Sequence, residues 1–282
     1  MTIHKTIAVF DLETVQDREL LDVEFPKEKF APHMAHEIVA ISLATFKRDP
    51  FPNDDVLEIR SLGSAKGSER EMLSAFVGYI QKEKPRIVGF NSRSFDVEVL
   101  KYRCFRHGIQ FPAFYQCGTK WDSYRSRYSP DWNFDLMDFL SNYGASPKFS
   151  LDIASRAIGL PGKFGISGVD VGQYYRDGRQ EEIRQYCETD VIATSAMMLR
   201  VMHLTGELST KGFRKSASAF LDFLSKSSEE KPHVQEFLKL LDCERFTGVI
   251  SSLEENAGMS IVSSNTNVTK FPIGMQQTSK DC

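Results

Sequence analysis

The sequence contains no C-x-x-C pair: its five cysteines stand singly at positions 104, 117, 187, 243 and 282. That spacing and the odd count argue against a disulfide scaffold or a thiolate zinc site, and they fit a reducing compartment. The six histidines are scattered as well. No apolar run approaches about 18 residues, so no membrane-spanning helix is expected. The first residues, Met1-Thr-Ile-His-Lys-Thr-Ile7, run directly into structural sequence without a signal-peptide pattern, and a cytoplasmic protein is the expectation. An excess of either charge is also missing. The 35 basic and 38 acidic residues leave a formal charge of only -3, which excludes a polybasic chain and confines any nucleic-acid contact to a local patch. Finally, the glycines at 159, 162, 165, 168 and 172 lack the strand, turn and Lys-Ser/Thr order of a Walker A or dinucleotide loop. They are expected as a flexible connection, with Lys163 available to a phosphate.

What is present suffices for a core: 282 residues, 41% of them hydrophobic, suit one large domain or a domain with an appendage. Ile7-Ala-Val-Phe10 reads as a buried strand that stops at Asp11 and Glu13. A loop over about 15–36 with Pro26 and Pro32 follows, then strands at 38–45 and 56–62. Short connections between them predict an antiparallel meander. Ser68 and Glu71 have capping-box spacing ahead of Met72, Leu73, Phe76, Val77 and Ile80, which share one helical face. A short strand at 87–91 and a helix at about 95–107 come next, and helical pattern returns near 134–142, 151–158 and 181–204. The expected fold is therefore α/β, a mixed sheet flanked by helices. Residues 1–205 form the expected main domain, 206–248 a helical extension, and 249–282 a weakly ordered tail rich in Ser, Asn, Thr and Gly.

Four carboxylates stand out. Asp11 and Glu13 are two apart, as neighbours on one face of a strand are; Asp96 begins a helix; Tyr186 and Asp190 are four apart and share a helical face. Like charges gathered closely repel, and two divalent cations about 3.5–4 Å apart would compensate them. Oxygen-only ligands favour Mg²⁺ or Mn²⁺ over zinc. Each group also has an ordinary reading: Asp96 or Ser94 as a helix cap, Asp190 as one acid among Glu181, Glu182 and Glu188, Tyr186 as a core aromatic.

In these residues the chain resembles the DEDDy branch of the DEDD superfamily of 3′-to-5′ exonucleases, which have a ribonuclease H-like fold. The branch includes proofreading domains of family B DNA polymerases and stand-alone bacterial relatives. Its first motif stands here as Asp11-Leu-Glu13, its second as Asn91-Ser-Arg-Ser-Phe95-Asp96, its third as Tyr186-Cys-Glu-Thr-Asp190, in that order over 180 residues. The resemblance covers about residues 5–205, and Phe134-Asp-Leu-Met-Asp138 with Lys148-Phe-Ser-Leu-Asp152 resembles the region between the last two motifs. It implies that Asp11, Glu13, Asp96 and Asp190 hold two ions, and that Tyr186 takes the place a His fills in the sister branch. The 77 residues after 205 are too few for a polymerase module, so a stand-alone nuclease is expected.

Asn91 and Phe95 flank the acids and are candidates to hydrogen-bond and pack at a terminal nucleotide; Leu12 is a candidate wedge against its base. Lys101, Arg103 and Arg106 follow the second motif. Lys120, Arg125 and Arg127 interleave with Trp121, Tyr124, Tyr128 and Trp132, as charge and rings do in single-strand binding, although a structural loop fits that segment equally. The expected activity is metal-dependent removal of nucleotides from a free 3′ end of single-stranded nucleic acid, DNA favoured. Two alternatives stand beside it: an RNA-trimming exoribonuclease, and a non-catalytic nucleic-acid-binding adaptor with the same fold. An adaptor gains nothing from concentrated negative charge where phosphate must dock.

Overall fold

The computed structural model describes residues 4–21, 31–47, 55–63, 67–162 and 165–248. In chain order the elements are β1 (Thr6–Gln16), β2 (His36–Lys47), β3 (Asp55–Ser61), α1 (Glu69–Glu83), β4 (Arg86–Gly89), α2 (Asp96–His107), α3 (Pro112–Gln116), β5 (Asn133–Asp135), α4 (Leu136–Leu140), α5 (Leu151–Ala157), α6 (Val171–Arg176), α7 (Gln180–Leu204), α8 (Thr210–Ser227), α9 (Pro232–Leu240) and α10 (Cys243–Thr247). The strand order is β3-β2-β1-β4-β5. β1, β2 and β3 form the antiparallel meander, and β4 and β5 run parallel to β1. This is the mixed, helix-flanked sheet expected from the ribonuclease H-like resemblance.

β1 is buried on both faces, so its parity sorts the core. Ile7 and Val9 join the apolar layer under α7 and α8, whereas Ala8, Phe10 and Leu12 join the layer under α1 and α2. Asp11 and Glu13 continue the parity of Ile7 and Val9. They therefore face the side that α7 covers.

β1 does not stop at the acids, as the apolar run suggested. Asp11 pairs with Ser42 and Glu13 with Ala40, and the register shifts only after Glu13. Strand pairing uses backbone groups alone, so charged side chains interrupt the apolar run without ending the ladder. β5 was not foreseen: three residues are too short to show a period of two, and Asp135 also accepts from the Asp138 amide at 3.0 Å as the N-cap of α4. At α1 both halves of the Ser68–Glu71 capping box form, an arrangement whose cap is worth about 1 kcal/mol.

The segment expected as a helical extension supplies α8, α9 and α10. Phe213, Phe220, Phe237 and Phe246 lie in the same apolar layer as Val9 and Phe46, with Phe220 stacked 6.2 Å from Phe46. Residues 1–248 make one compact unit. The expected tail from 249 lies outside the described residues, as do Lys163 and residues 22–30 of the loop, Pro26 among them. No helix among the described residues is long and apolar enough to cross a membrane.

Candidate active site

Ligand atoms of Asp11, Glu13 and Asp190 all lie within 4.8 Å of one another. The strand parity of β1 and the i, i+4 face of α7 meet here, as the spacings predicted. Asp96, the first residue of α2, stands beside this triad: its Oδ1 accepts from the Leu12 amide at 3.2 Å, between the two strand acids. Burial, followed by the charges of Asp96, Asp190 and Glu13, pushes Asp11 well above the usual carboxylate range. Burial is also the main cause that moves Asp96 up to about 7, with Asp135 and Asp190 adding to it against hydrogen bonds that favour its ionised form.

The turn that delivers Asp96 is built around Asp135, a residue the sequence reading passed over as part of a connecting segment. Buried at the end of β5, Asp135 accepts from the Asn91 amide at 3.0 Å and the Arg93 amide at 2.9 Å. Asn91 adopts a left-handed conformation with φ 60°, and its carbonyl accepts from Ser94 and Phe95. Close packing fixes the entry to this turn: a Cβ on Gly89 would sit 2.5 Å from that of Ser92. Neither Ser94 nor Asp96 caps α2, whose N-cap is Phe95 without a side-chain bond. At the other end of α2, Arg103 contacts Asp17 and Glu69, each at 2.6 Å, which fixes the helix against the end of β1.

On α7, the Tyr186 hydroxyl lies beside Asp190, one helical turn on. Burial first, then the charges of Asp190, Glu13 and Asp11, hold its phenol far above the ordinary range. The Cys187 thiol, kept protonated by burial and the neighbouring acids, donates to the Asp11 carbonyl at 3.3 Å. Glu188, which the sequence offered as one more helix acid, is buried and ties α7 down. It accepts from the Ser61 amide at 2.8 Å and from Lys231 at 2.9 Å. Its dependence on residues 127 and 43 positions away left no local signal.

The candidate substrate contacts divide. Phe95 is half-buried and edge-on to His36 with centroids 5.1 Å apart. The Leu12 side chain is 4% exposed in the core, so its amide rather than its side chain serves the site. Among the interleaved aromatics, Tyr124 and Trp132 are core residues, with Tyr124 donating to the Pro85 carbonyl at 2.6 Å. Trp121 and Tyr128 are exposed. Arg103 is buried in its ion pairs and cannot meet a strand. A cavity of about 740 Å³ lies past the end of β1 around Arg103 and Glu69. Tyr186 and Asp190 instead border a small cleft with Asp152 and Gly162.

The donor set fits a hard divalent cation. Its converging atoms are carboxylate oxygens, Glu13 buried and Asp11 and Asp190 partly so, and the upward shift of Asp11 that burial and its acidic neighbours cause is the repulsion a cation relieves. Cys187 is the adjacent soft donor, and it is held as a thiol.

The family described as predicted 3′-5′ exonuclease related to the exonuclease domain of PolB matches residues 28–241. That span includes Asp96, Tyr186 and Asp190 and begins after Asp11 and Glu13, which the fold itself brings to them. Among solved structures, the chain is similar to the family B DNA polymerase from the hyperthermophilic archaeon Pyrobaculum calidifontis, at 19% identity and a TM-score of 0.49. The similarity covers 70% of this chain and 24% of that one, so this chain spans only part of the polymerase's length. No curated protein matches.

Proposed function

From the premise that this chain belongs to the family of predicted 3′-5′ exonucleases related to the exonuclease domain of PolB, we propose that it removes nucleotides from the free 3′ end of single-stranded nucleic acid, DNA in preference to RNA. The observation that carries the reading is the convergence of Asp11, Glu13 and Asp190 beside Asp96, with Tyr186 next to Asp190. Asp11, Glu13, Asp96 and Asp190 would hold Mg²⁺ or Mn²⁺, two ions in all. When bound, such ions compensate charge on the reacting phosphate and polarise water.

The protein's own groups set the rest. Tyr186 stays protonated at neutral pH, so it acts as a hydrogen-bond donor that orients water rather than as a base. The Leu12 amide keeps Asp96 directed at the strand acids. The half-exposed ring of Phe95, next to Asp96 in the chain, would give a terminal base an apolar wall, and Asn91 lies in the same turn. A terminus that is already unpaired reaches such a wall without the few kcal/mol needed to open a duplex end.

The test compares a 5′-labelled single strand, a blunt duplex and a closed circle, as DNA and RNA, with Mg²⁺ or Mn²⁺. Progressive shortening of the open DNA strand, slower attack on the duplex and an intact circle are expected. Cleavage of the circle overturns the exonuclease reading, and faster digestion of RNA overturns the DNA preference.

A further inference from the structure

Tyr128 is 71% exposed, although it sits in a loop that already has its apolar anchors in Tyr124 and Trp132. Its ring meets that of Tyr143 edge to face at 5.0 Å. Tyr143 reaches this position from a strained backbone: Asn142 and Tyr143, consecutive and neither a glycine, have φ of 49° and 55°. Bulky side chains seldom adopt such angles, and strain of this kind persists where the surroundings hold a residue for use.

Two guanidinium groups complete the patch. Arg127 lies 5.8 Å from the centre of the Tyr128 ring. Asp138 holds it at 3.3 Å by one nitrogen, and its side chain is half exposed, so further donors face solvent. Arg93 belongs to the turn clamped by Asp135, three residues before Asp96. Its Nη2 donates to the Asn133 carbonyl at 2.5 Å. Arg93, Arg127, Asp135, Asp138 and Tyr143 line one shallow depression, and Arg93 belongs to the turn that carries Asp96. The Asp135 oxygens accept from the amides of Asn91, Arg93 and Asp138, and Asp135 and Asp138 are both buried, so the groups of this patch most open to solvent are the Tyr128 ring and the Arg127 guanidinium.

Resting on the exonuclease reading for its orientation, we propose that this depression and the exposed Tyr128 ring beside it form the track of the single strand behind the nucleotide being removed, with bases stacked on Tyr128 and Tyr143 and phosphates met by Arg93 and Arg127. Rings without paired donors and acceptors accept any base, and cations contact every phosphate alike, so the track is indifferent to sequence.

The experiment measures binding of the full chain to a labelled dinucleotide and a labelled 12-mer in Ca²⁺. Tyr128→Ala and Tyr143→Gly each weaken 12-mer binding about tenfold, the scale of one lost stacking ring, and barely change the dinucleotide. Tyr128→Phe keeps the wild-type affinity. Tyr143→Gly also melts no lower than wild type, because glycine adopts the left-handed angle without strain; a folding defect would have lowered both. Arg127→Gln flattens the salt dependence of 12-mer binding. Wild-type 12-mer affinity in Tyr128→Ala and Tyr143→Gly overturns the track. If the wild type binds and the variants do not, but no strand is shortened, the track stands and the exonuclease reading falls. Absence of any single-strand binding by the wild type overturns both.

Discussion

Glu188 of α7 accepts a hydrogen bond from His233 Nε2 of α9 at 3.0 Å, and the residue two positions on from Glu188 is the site acid Asp190. The helix that carries Tyr186 and Asp190 is thus held by a group from the C-terminal helices. Burial alone would raise Glu188, but hydrogen bonds from His233 and Lys231, with their charges, bring it down to about 2. A carboxylate lowered on folding stabilises the protein above its unfolded value near 4.5, and that contribution fades as pH falls through the interval toward 2. At neutral pH it amounts to at most about 3 kcal/mol. Glu188→Gln should therefore lower stability to urea at pH 7 and differ much less from wild type at pH 3. An equal difference at both values would remove the charge from this account.

The site acids have the opposite sign. Asp96 stands at about 7 in the folded chain because burial leads the causes that raise it. The folded state then holds a proton that the unfolded state releases near 4, so the cluster stabilises the metal-free protein increasingly as pH falls from about 7 toward 4. Melting in EDTA should rise over that interval, and Asp96→Asn should flatten the rise. Mn²⁺ at pH 8 should raise the melting temperature of wild type and leave Asp11→Asn nearly unmoved. No response of wild type to Mn²⁺ would contradict a cation site.

Asp11→Asn or Asp190→Asn should reduce strand shortening at least about 10²-fold, since each removes a group that stabilises charge at the reacting phosphate. Folding should survive, because the substitution relieves repulsion. Near-wild-type turnover in both purified variants would show that the cluster is not catalytic.

Tyr186→Phe keeps the ring on the apolar cluster of Val39, Ala40, Val171, Ile183 and Cys187 and removes the hydroxyl beside Asp190. Activity should fall about tenfold or more with little change in melting temperature. Unchanged rate with collapsed stability would make Tyr186 a core residue.

The site was legible in the sequence wherever chemistry and local periodicity coincide. Asp11 and Glu13 share a strand face, Tyr186 and Asp190 a helix face, and both are counted along the chain. Asp135 and Glu188 were not legible, because their partners are amides and cations distant in sequence, Asn91 and Arg93 for one, Ser61, Lys231 and His233 for the other. Exposure was equally hidden. Tyr124 and Tyr128 are four apart in one loop, yet the first is fully buried and the second is open, a difference set by the Pro85 carbonyl that takes the Tyr124 hydroxyl.

Truncation separates the two parts of the C-terminal region. Removing residues 206–248 together with the tail would strip Phe213, Phe220, Phe237 and Phe246 from the core, each exposed by 1% or less. At about 1.5–3 kcal/mol for each buried ring, the loss is roughly 6–12 kcal/mol, comparable with the whole stability of a domain. It would also remove the Lys231 and His233 partners of Glu188. A chain ending at 205 should therefore be insoluble or unfolded. A chain ending at 248 keeps every one of these groups, and the residues it lacks are rich in Ser, Asn, Thr and Gly and poor in large apolar side chains. We expect it to melt within a few degrees of full length and to shorten a labelled strand at a similar rate. Aggregation of the chain ending at 248, or loss of its metal-dependent activity, would show that residues 249–282 contribute to the fold or to the site.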